Sequence, residues 1–405
     1  MLLNIALIIT LALVFYYLFS LIKLPGILGL IVAGVLVGPS VLNVVDPAVS
    51  GVLKELKTAA LIVILIRAGL GINRATLHKV GRPAINMSFI PGVIEGSIVM
   101  LAARFLFDFT WIEGGMLGFI IAAVSPAVVV PTMLELKDKG FGKKKEVPTL
   151  VLAGASVDDV FAITIFSVFT GLAAGSGINI GHILWSVPAG IVLGALIGVA
   201  LGFALVWFFK KFHIRDTKKV IIFMIVAVVF YELTEMESLK VIIPLAGLLG
   251  IMAIGFIILE KYDKLAKRLS AKFNKVWVLS EILLFVYIGT EVQINQLDAS
   301  LVATGLLILF VGLSFRSLGV WISLMGTDLT NKERLFCIVA YWPKATVQAA
   351  IGAVPLSLIE AGKLGNVSVE TGQVILAMAV LSIVTTAPLG AIGIKLFGPK
   401  LLSKD

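Results

Sequence analysis

The sequence predicts an all-α polytopic membrane protein with about 13 transmembrane helices, built from inverted repeats that each carry a broken helix crossing its counterpart. Three observations predict it. Long apolar runs fill the chain, its basic residues fall on alternate connections, and two proline-interrupted spans recur at a constant separation. Of the 405 residues 59% are hydrophobic and only 14% charged, against about 25% charged in a soluble domain. Mean hydropathy is +1.09.

Runs of roughly 17–25 apolar residues are long enough to cross a bilayer as helices. In order, the expected spans are 3–22, 25–43, 57–73, 83–106, 112–135, 148–174, 183–209, 220–236, 241–259, 276–293, 299–325, 333–357 and 372–398. The first lacks a basic leader and a small-residue cleavage site, so it reads as a membrane helix and not a removed signal peptide. Glycines in LGLIVAGVLVG and SVPAGIVLGALIGVALG suit close helix packing. The connections are short, with no room for a large soluble domain. Segment 260–275, with Tyr262, Leu265, Leu269 and Phe273 at helical spacing, reads as either an amphipathic helix on the membrane surface or a plain linker.

Placing the N-terminus outside and alternating puts 25 of the 33 basic residues on inside segments and four on outside ones. The positive-inside rule then orients the chain with its N-terminus out and its C-terminus cytoplasmic, in a cell (inner) membrane. The same split accounts for the net charge of +9 without any nucleic acid.

Charges inside spans cost about 2.5–3.5 kcal/mol on insertion scales and mark functional positions. Five lie deep: Glu95, Asp158, Asp159, Arg316 and Lys344. Asp158 and Asp159 are consecutive in LAGASVDDVFAITIF. Successive helix positions differ by about 100°, so one cavity can hold both. A carboxylate out of water needs a partner, and a proton and a hard cation compete for that place. This competition suffices for exchange. Glu95 and Arg316 are expected to pair, since opposite charges persist in lipid only together.

Lys344 follows Pro343 in YWPKATVQAA, and a matching interruption, SPAVVVP, holds Ser125, Pro126 and Pro131. Proline breaks or kinks a helix, and irregular backbone at membrane depth must line a cavity or be buried. Pro126 and Pro343 are 217 residues apart, Glu95 and Arg316 221. Spans 4–5 thus align with spans 11–12. The shift of seven spans is odd, which inverts the second copy, the signature of an inverted-repeat transporter. Half-helix ends would meet there, with Lys344 offsetting carbonyl ends.

Arg67 and Glu281, nearer the inner ends of their spans, are expected to snorkel or pair locally. His78, His182 and His213 fall in loops, and the single cysteine, Cys337, excludes a disulfide framework. No P-loop supports ATP-driven transport. Adjacent aspartates disfavour an intramembrane aspartyl protease, which wants them on separate helices, so no enzyme is expected. The residues leave open a potassium/proton exchanger, a sodium-coupled solute transporter on the same architecture, or a gated channel.

Along nearly its whole length the chain resembles the cation/proton antiporter superfamily, and within it the NHA-type sodium/proton antiporters in their shorter bacterial form. The motifs that carry the resemblance are LIRAGLG (65–71), SPAVVVPTMLEL (125–136), VPTLVLAGASVDDVFAIT (147–164) and WPKATVQAAIG (342–352). It implies the sodium/proton antiporter fold, with Na+ or Li+ and H+ as transported substrates and no cofactor. It implies an ion site at Asp158 and Asp159, with Asp159 the principal carrier of sodium and proton, supported by Glu95, Arg316 and Lys344. Many other branches place lysine where Arg316 stands, which puts the charge stoichiometry in question. The implied domains are scaffold or dimerisation helices at 1–75 and 216–295, core helices at 76–175 and 296–405, and a linker helix at 176–215. A homodimer in membrane lipid follows by the same analogy.

Overall fold

Backbone N–H and C=O groups in lipid must pair within the protein, and a long uninterrupted apolar run does so by forming a helix that satisfies its own backbone. The computed structural model describes residues 2–22, 26–39, 41–45, 47–71, 74–174, 180–236, 245–290, 299–364 and 367–404, and these are almost wholly helical. The helices are α1 (Leu2–Leu21), α2 (Gly26–Val37), α3 (Pro47–Gly71), α4 (Arg74–Met87), α5 (Ile90–Leu106), α6 (Trp111–Ala122), α7 (Pro126–Asp138), α8 (Val147–Ala173), α9 (Ile180–Lys211), α10 (Asp216–Glu235), α11 (Gly247–Lys261), α12 (Asp263–Thr290), α13 (Ala299–Ser323), α14 (Asn331–Ala340), α15 (Thr346–Ile351), α16 (Val354–Glu360) and α17 (Val369–Leu401).

The thirteen expected spans map onto these helices, with three interruptions. The fourth is α4 and α5, parted at Ser88–Phe89 ahead of Pro91. The fifth is α6 and α7. The twelfth is α14, α15 and α16. By length and apolarity alone, 8 helices among the described residues suffice to cross a membrane, fewer than expected. The shortfall has local causes. Helix α2 has 12 residues, α3 and α10 carry charges toward both ends, part of span 241–259 lies outside the described residues, and the twelfth span is broken. His78 and His182, expected in loops, lie on α4 and α9.

Segment 260–275 corrects the reading of a surface helix or linker. Residues 260–262 close α11, and 263–275 form the first half of α12, which runs unbroken into the membrane span. Leu265, Leu269 and Phe273 are fully buried, and Phe273 stands edge-on to Phe223 of α10 at 5.7 Å. Arg268 reaches Asp216 at 2.8 Å. The apolar stripe therefore faces protein, not lipid.

Two groups of helices pack most closely among themselves. Helix α12 lies against α2 and α3, and α11 against α3 and α9; elsewhere α5 lies against α6 and α13, α8 against α4, α6 and α7, and α17 against α14 and α16. The glycine stretches serve this packing: a Cβ on Gly34 would meet Val286 O of α12 at 2.2 Å, and one on Gly198 would meet Gly250 O of α11 at 2.2 Å. At the lysine-rich face Gly142 N–H donates to Ser403 O at 2.7 Å, tying the α7–α8 turn to the segment after α17.

Candidate functional site

Each broken helix begins with the same local device. Thr110 and Glu113 form a capping box on α6, and Thr330 and Glu333 form one on α14. In each, the threonine hydroxyl accepts from the glutamate N–H and the glutamate carboxylate accepts from the threonine N–H, so orphan donors are satisfied reciprocally. The two boxes are 220 residues apart (330−110) and extend the internal repeat. The pattern T-x-x-E before an apolar run was readable in the sequence, and the sequence reading passed over it.

Both helices then stop in mid-protein and cross. Ser125 N–H donates to Pro343 O at 2.8 Å, so extended backbone from one break pairs with the other. Ser125, Pro126 and Pro343 lie at the crossing as expected. Pro131 does not: it sits inside α7, which continues past it to Asp138. A proline there removes a single backbone bond near the start of a short helix, which the helix tolerates.

The carbonyl ends left at the breaks need donors, and here the sequence reading is corrected. Lys344 does not supply them; its Nζ donates to Glu95 Oε2 at 2.6 Å, and its backbone N–H to Thr386 Oγ1 at 2.9 Å. Arg316 supplies them instead, donating from Nε to Tyr341 O at 2.7 Å and from Nη1 to Ala122 O. One guanidinium thereby closes both broken helices, a use of its rigid fork that lysine cannot match. Gln348 completes the end of α6: its Nε2 donates to Ile120 O at 2.9 Å and Ala123 O at 3.0 Å. Neither Gln348 nor this double role of Arg316 carries a signal in the sequence.

Around that frame the five intramembrane charges converge. Glu95, Arg316 and Lys344 are 0% exposed, Asp158 1% and Asp159 4%. Arg316 Nη1 meets Glu95 Oε2 at 2.6 Å, confirming the expected pair. The same guanidinium reaches Asp158, Nη2 to Oδ2 at 3.2 Å, and Asp158 Oδ2 also accepts from Val124 N–H at 2.8 Å. Two cations thus meet two carboxylates, and the four charges balance.

Asp159 stands apart. Its Oδ1 is buried and has no hydrogen-bond partner. The adjacent aspartates therefore divide: Asp158 is held by protein donors, and Asp159 presents an unsatisfied acceptor. Among the described residues no three acidic, histidine or cysteine side chains gather as a metal cage, so a cation on Asp159 would draw its other ligands from backbone, hydroxyl or amide oxygens and water, as hard cations accept. Arg67 pairs locally, Nε to Asn274 Oδ1 at 2.7 Å, with its guanidinium 5.4 Å from the Trp277 ring centroid.

The family model described as sodium/hydrogen exchanger, transmembrane, matches residues 8–398. The chain belongs to the sodium/hydrogen exchanger family. It is 35% identical over 390 residues to sodium/hydrogen exchanger 9B2 of Homo sapiens, covering 94% of this chain and 70% of that protein. It is 31% identical over 353 residues to sodium/hydrogen exchanger 9B1 of Homo sapiens, covering 86% and 67%. The solved structure of the sodium proton antiporter MjNhaP1 from Methanocaldococcus jannaschii superposes with a TM-score of 0.78 at 18% identity, covering 99% of both chains; this likeness shows the fold. The protein is accordingly a multi-pass integral membrane transporter of the exchanger family and not an enzyme, and sodium and protons enter as substrates of that family, with no cofactor implied.

Proposed function

We propose that this exchanger is a secondary antiporter in which Asp159 carries either sodium or lithium in one direction or a proton in the other. The observation that carries the reading is the division of the aspartates: Asp158 is neutralised by Arg316 and Val124 N–H, while buried Asp159 keeps an unsatisfied oxygen. A buried carboxylate is stable only with a counter-charge or a proton. Loading one of the two at a time gives obligatory exchange. The sodium/hydrogen exchanger names of the relatives support sodium as the cation.

Alternating access would move the core, 76–175 and 296–405, against the scaffold, 1–75 and 216–295, with 176–215 as the link. The core holds every charge of the site, so it can shift as a unit without separating Glu95, Arg316, Lys344 and Asp158. Exposure of the site to one side at a time follows from this shift. The lysine bias supports a cytoplasmic C-terminus, and a cell-membrane location and a homodimer through the scaffold, set in lipid, complete the reading.

The test is proton flux in proteoliposomes under a set pH gradient on addition of sodium, lithium or potassium. Flux with sodium or lithium, abolished in Asp159→Asn, is expected. Flux with potassium alone would reassign the substrate, and flux retained in the variant would remove Asp159 from the carrier role.

A further inference from the structure

A cavity of about 450 Å³ opens on the lysine-rich face between α4, the start of α8 and the turn after α13. Arg82, Asn86, Lys145, Leu150, Ser323 and Asp328 are among the residues that line it. All belong to the segments read as core.

Its floor lies close to an orphaned group. Leu150 is one helical turn before Gly154 on α8, and Asn86 immediately precedes Met87 on α4. A Cβ on Gly154 would lie 2.1 Å from the Tyr341 hydroxyl and 3.0 Å from Met87 Cβ. The hydroxyl therefore projects into the space that the absent side chain leaves between α4 and α8. Tyr341 is 0% exposed and its hydroxyl has no hydrogen-bond partner. Buried hydroxyls in proteins are paired with protein groups or with ordered water, so this one, without a protein partner, calls for an ordered water beside it. One turn beyond Gly154 on α8 is Asp158, and the Tyr341 ring lies against the Arg316 guanidinium, 5.2 Å from its centroid. The charged and titratable groups that act electrostatically on Tyr341 are Asp158 from α8, Arg316 from α13 and Cys337 from α14. Those at the mouth are Arg82, Lys145 and Asp328, with Lys145 paired to Glu333 at 3.0 Å.

We propose that this cavity is the mouth of a hydrated branch that delivers protons, and not metal cations, to the aspartate pair by way of the Tyr341 hydroxyl. The inference rests on the antiport reading and adds a separate route for one of its two substrates. A hydroxyl both donates and accepts. It releases its proton toward the carboxylates and takes another from the water on the cavity side, ending unchanged while the carboxyl pair gains one proton and the water chain loses one. Gly154, whose missing side chain leaves room for the hydroxyl, and Asp158 are one helical turn apart on α8, ~5.4 Å along the axis, a span that one or two waters bridge. The buried hydroxyl itself refuses sodium: Tyr341 is 0% exposed, so a proton passes along its hydrogen bonds while no opening admits a cation.

Two variants test it. Tyr341→Phe keeps the ring against Arg316 and removes only the hydroxyl; Leu150→Trp fills the cavity floor and touches none of the charged residues of the site. Both are compared with the unmodified protein in proteoliposomes for exchange rate against pH, for apparent sodium affinity and for the solvent deuterium isotope effect. The expected result is an exchange rate lowered about tenfold or more where proton delivery limits turnover, a displaced pH profile and an altered isotope effect, with sodium affinity unchanged. Wild-type rates and profiles in both variants would overturn the branch while leaving the antiport reading intact. Loss of sodium affinity in parallel with rate would also overturn it, by showing that the hydroxyl serves the cation. An unmodified protein that exchanges no sodium for protons would sink the antiport reading, and the branch with it.

Discussion

Replacing Glu95 by glutamine tests the charge balance at the crossing. Glu95 Oε2 accepts from both Arg316 Nη1 and Lys344 Nζ, each at 2.6 Å, with all three side chains fully buried. Glu95→Gln leaves two cations facing one carboxylate, Asp158. Removing one partner of a buried pair costs about 3–5 kcal/mol; the amide oxygen can still accept one bond, which favours the lower end, about 3 kcal/mol. In a chain of this length that lowers the melting temperature by about 4 °C. Lys344→Met leaves the opposite imbalance and should cost about as much. The double variant restores neutrality, since Arg316 retains Asp158. It should therefore cost about 3 kcal/mol and not the sum of about 6 kcal/mol. Thermal melts of the four purified proteins in one detergent complete the cycle. Additivity within about 0.5 kcal/mol would refute the argument, because it would mean that Glu95 and Lys344 are energetically independent.

Three further outcomes follow from other parts of the structure. Gln348→Leu strips the donors from Ile120 O and Ala123 O and should destabilise the protein by about 1–3 kcal/mol, visible as a lower melting temperature; an unchanged one would mean that other donors reach those carbonyls. Thr330→Val and Thr110→Val each remove half a capping box and should cost about 1 kcal/mol apiece, adding in the double variant because the boxes belong to separate copies of the repeat. A reporter fused to the C-terminus should be active only in the cytoplasm; activity outside would reverse the assigned orientation.

The fold was legible wherever one physical rule acted alone. Apolar length marked the spans, and the 221-residue offset brought Glu95 to Arg316 because an unpaired charge in lipid has no other recourse. The prolines located the breaks, but not which proline sits at one: Pro126 opens α7 where its missing N–H costs nothing, and Pro131 merely interrupts one bond within it. Segment 260–275 misled because amphipathicity does not say what covers the apolar face. Its continuity was nonetheless written in residues 263–288, which contain neither glycine nor proline. What sequence could not give is competition among partners. Lys344, Arg316 and Gln348 are all donors near two carboxylates and several open carbonyls. Only geometry assigns Lys344 to Glu95, the flat fork of Arg316 to two helix ends at once and to Asp158, and Gln348 to the rest. By that allocation Asp158 is satisfied and Asp159 is not, a difference invisible in two identical adjacent letters.

The central claim is that one carboxyl group, Asp159, holds sodium or a proton but never both. Equilibrium binding of radiosodium to the purified protein across a pH series tests it most directly. Competition predicts that on the acid side the apparent Kd rises about tenfold for each unit the pH falls, levels off at alkaline pH, and that Asp159→Asn binds no sodium at any pH. Sodium affinity independent of pH, or undiminished in Asp159→Asn, would contradict the account.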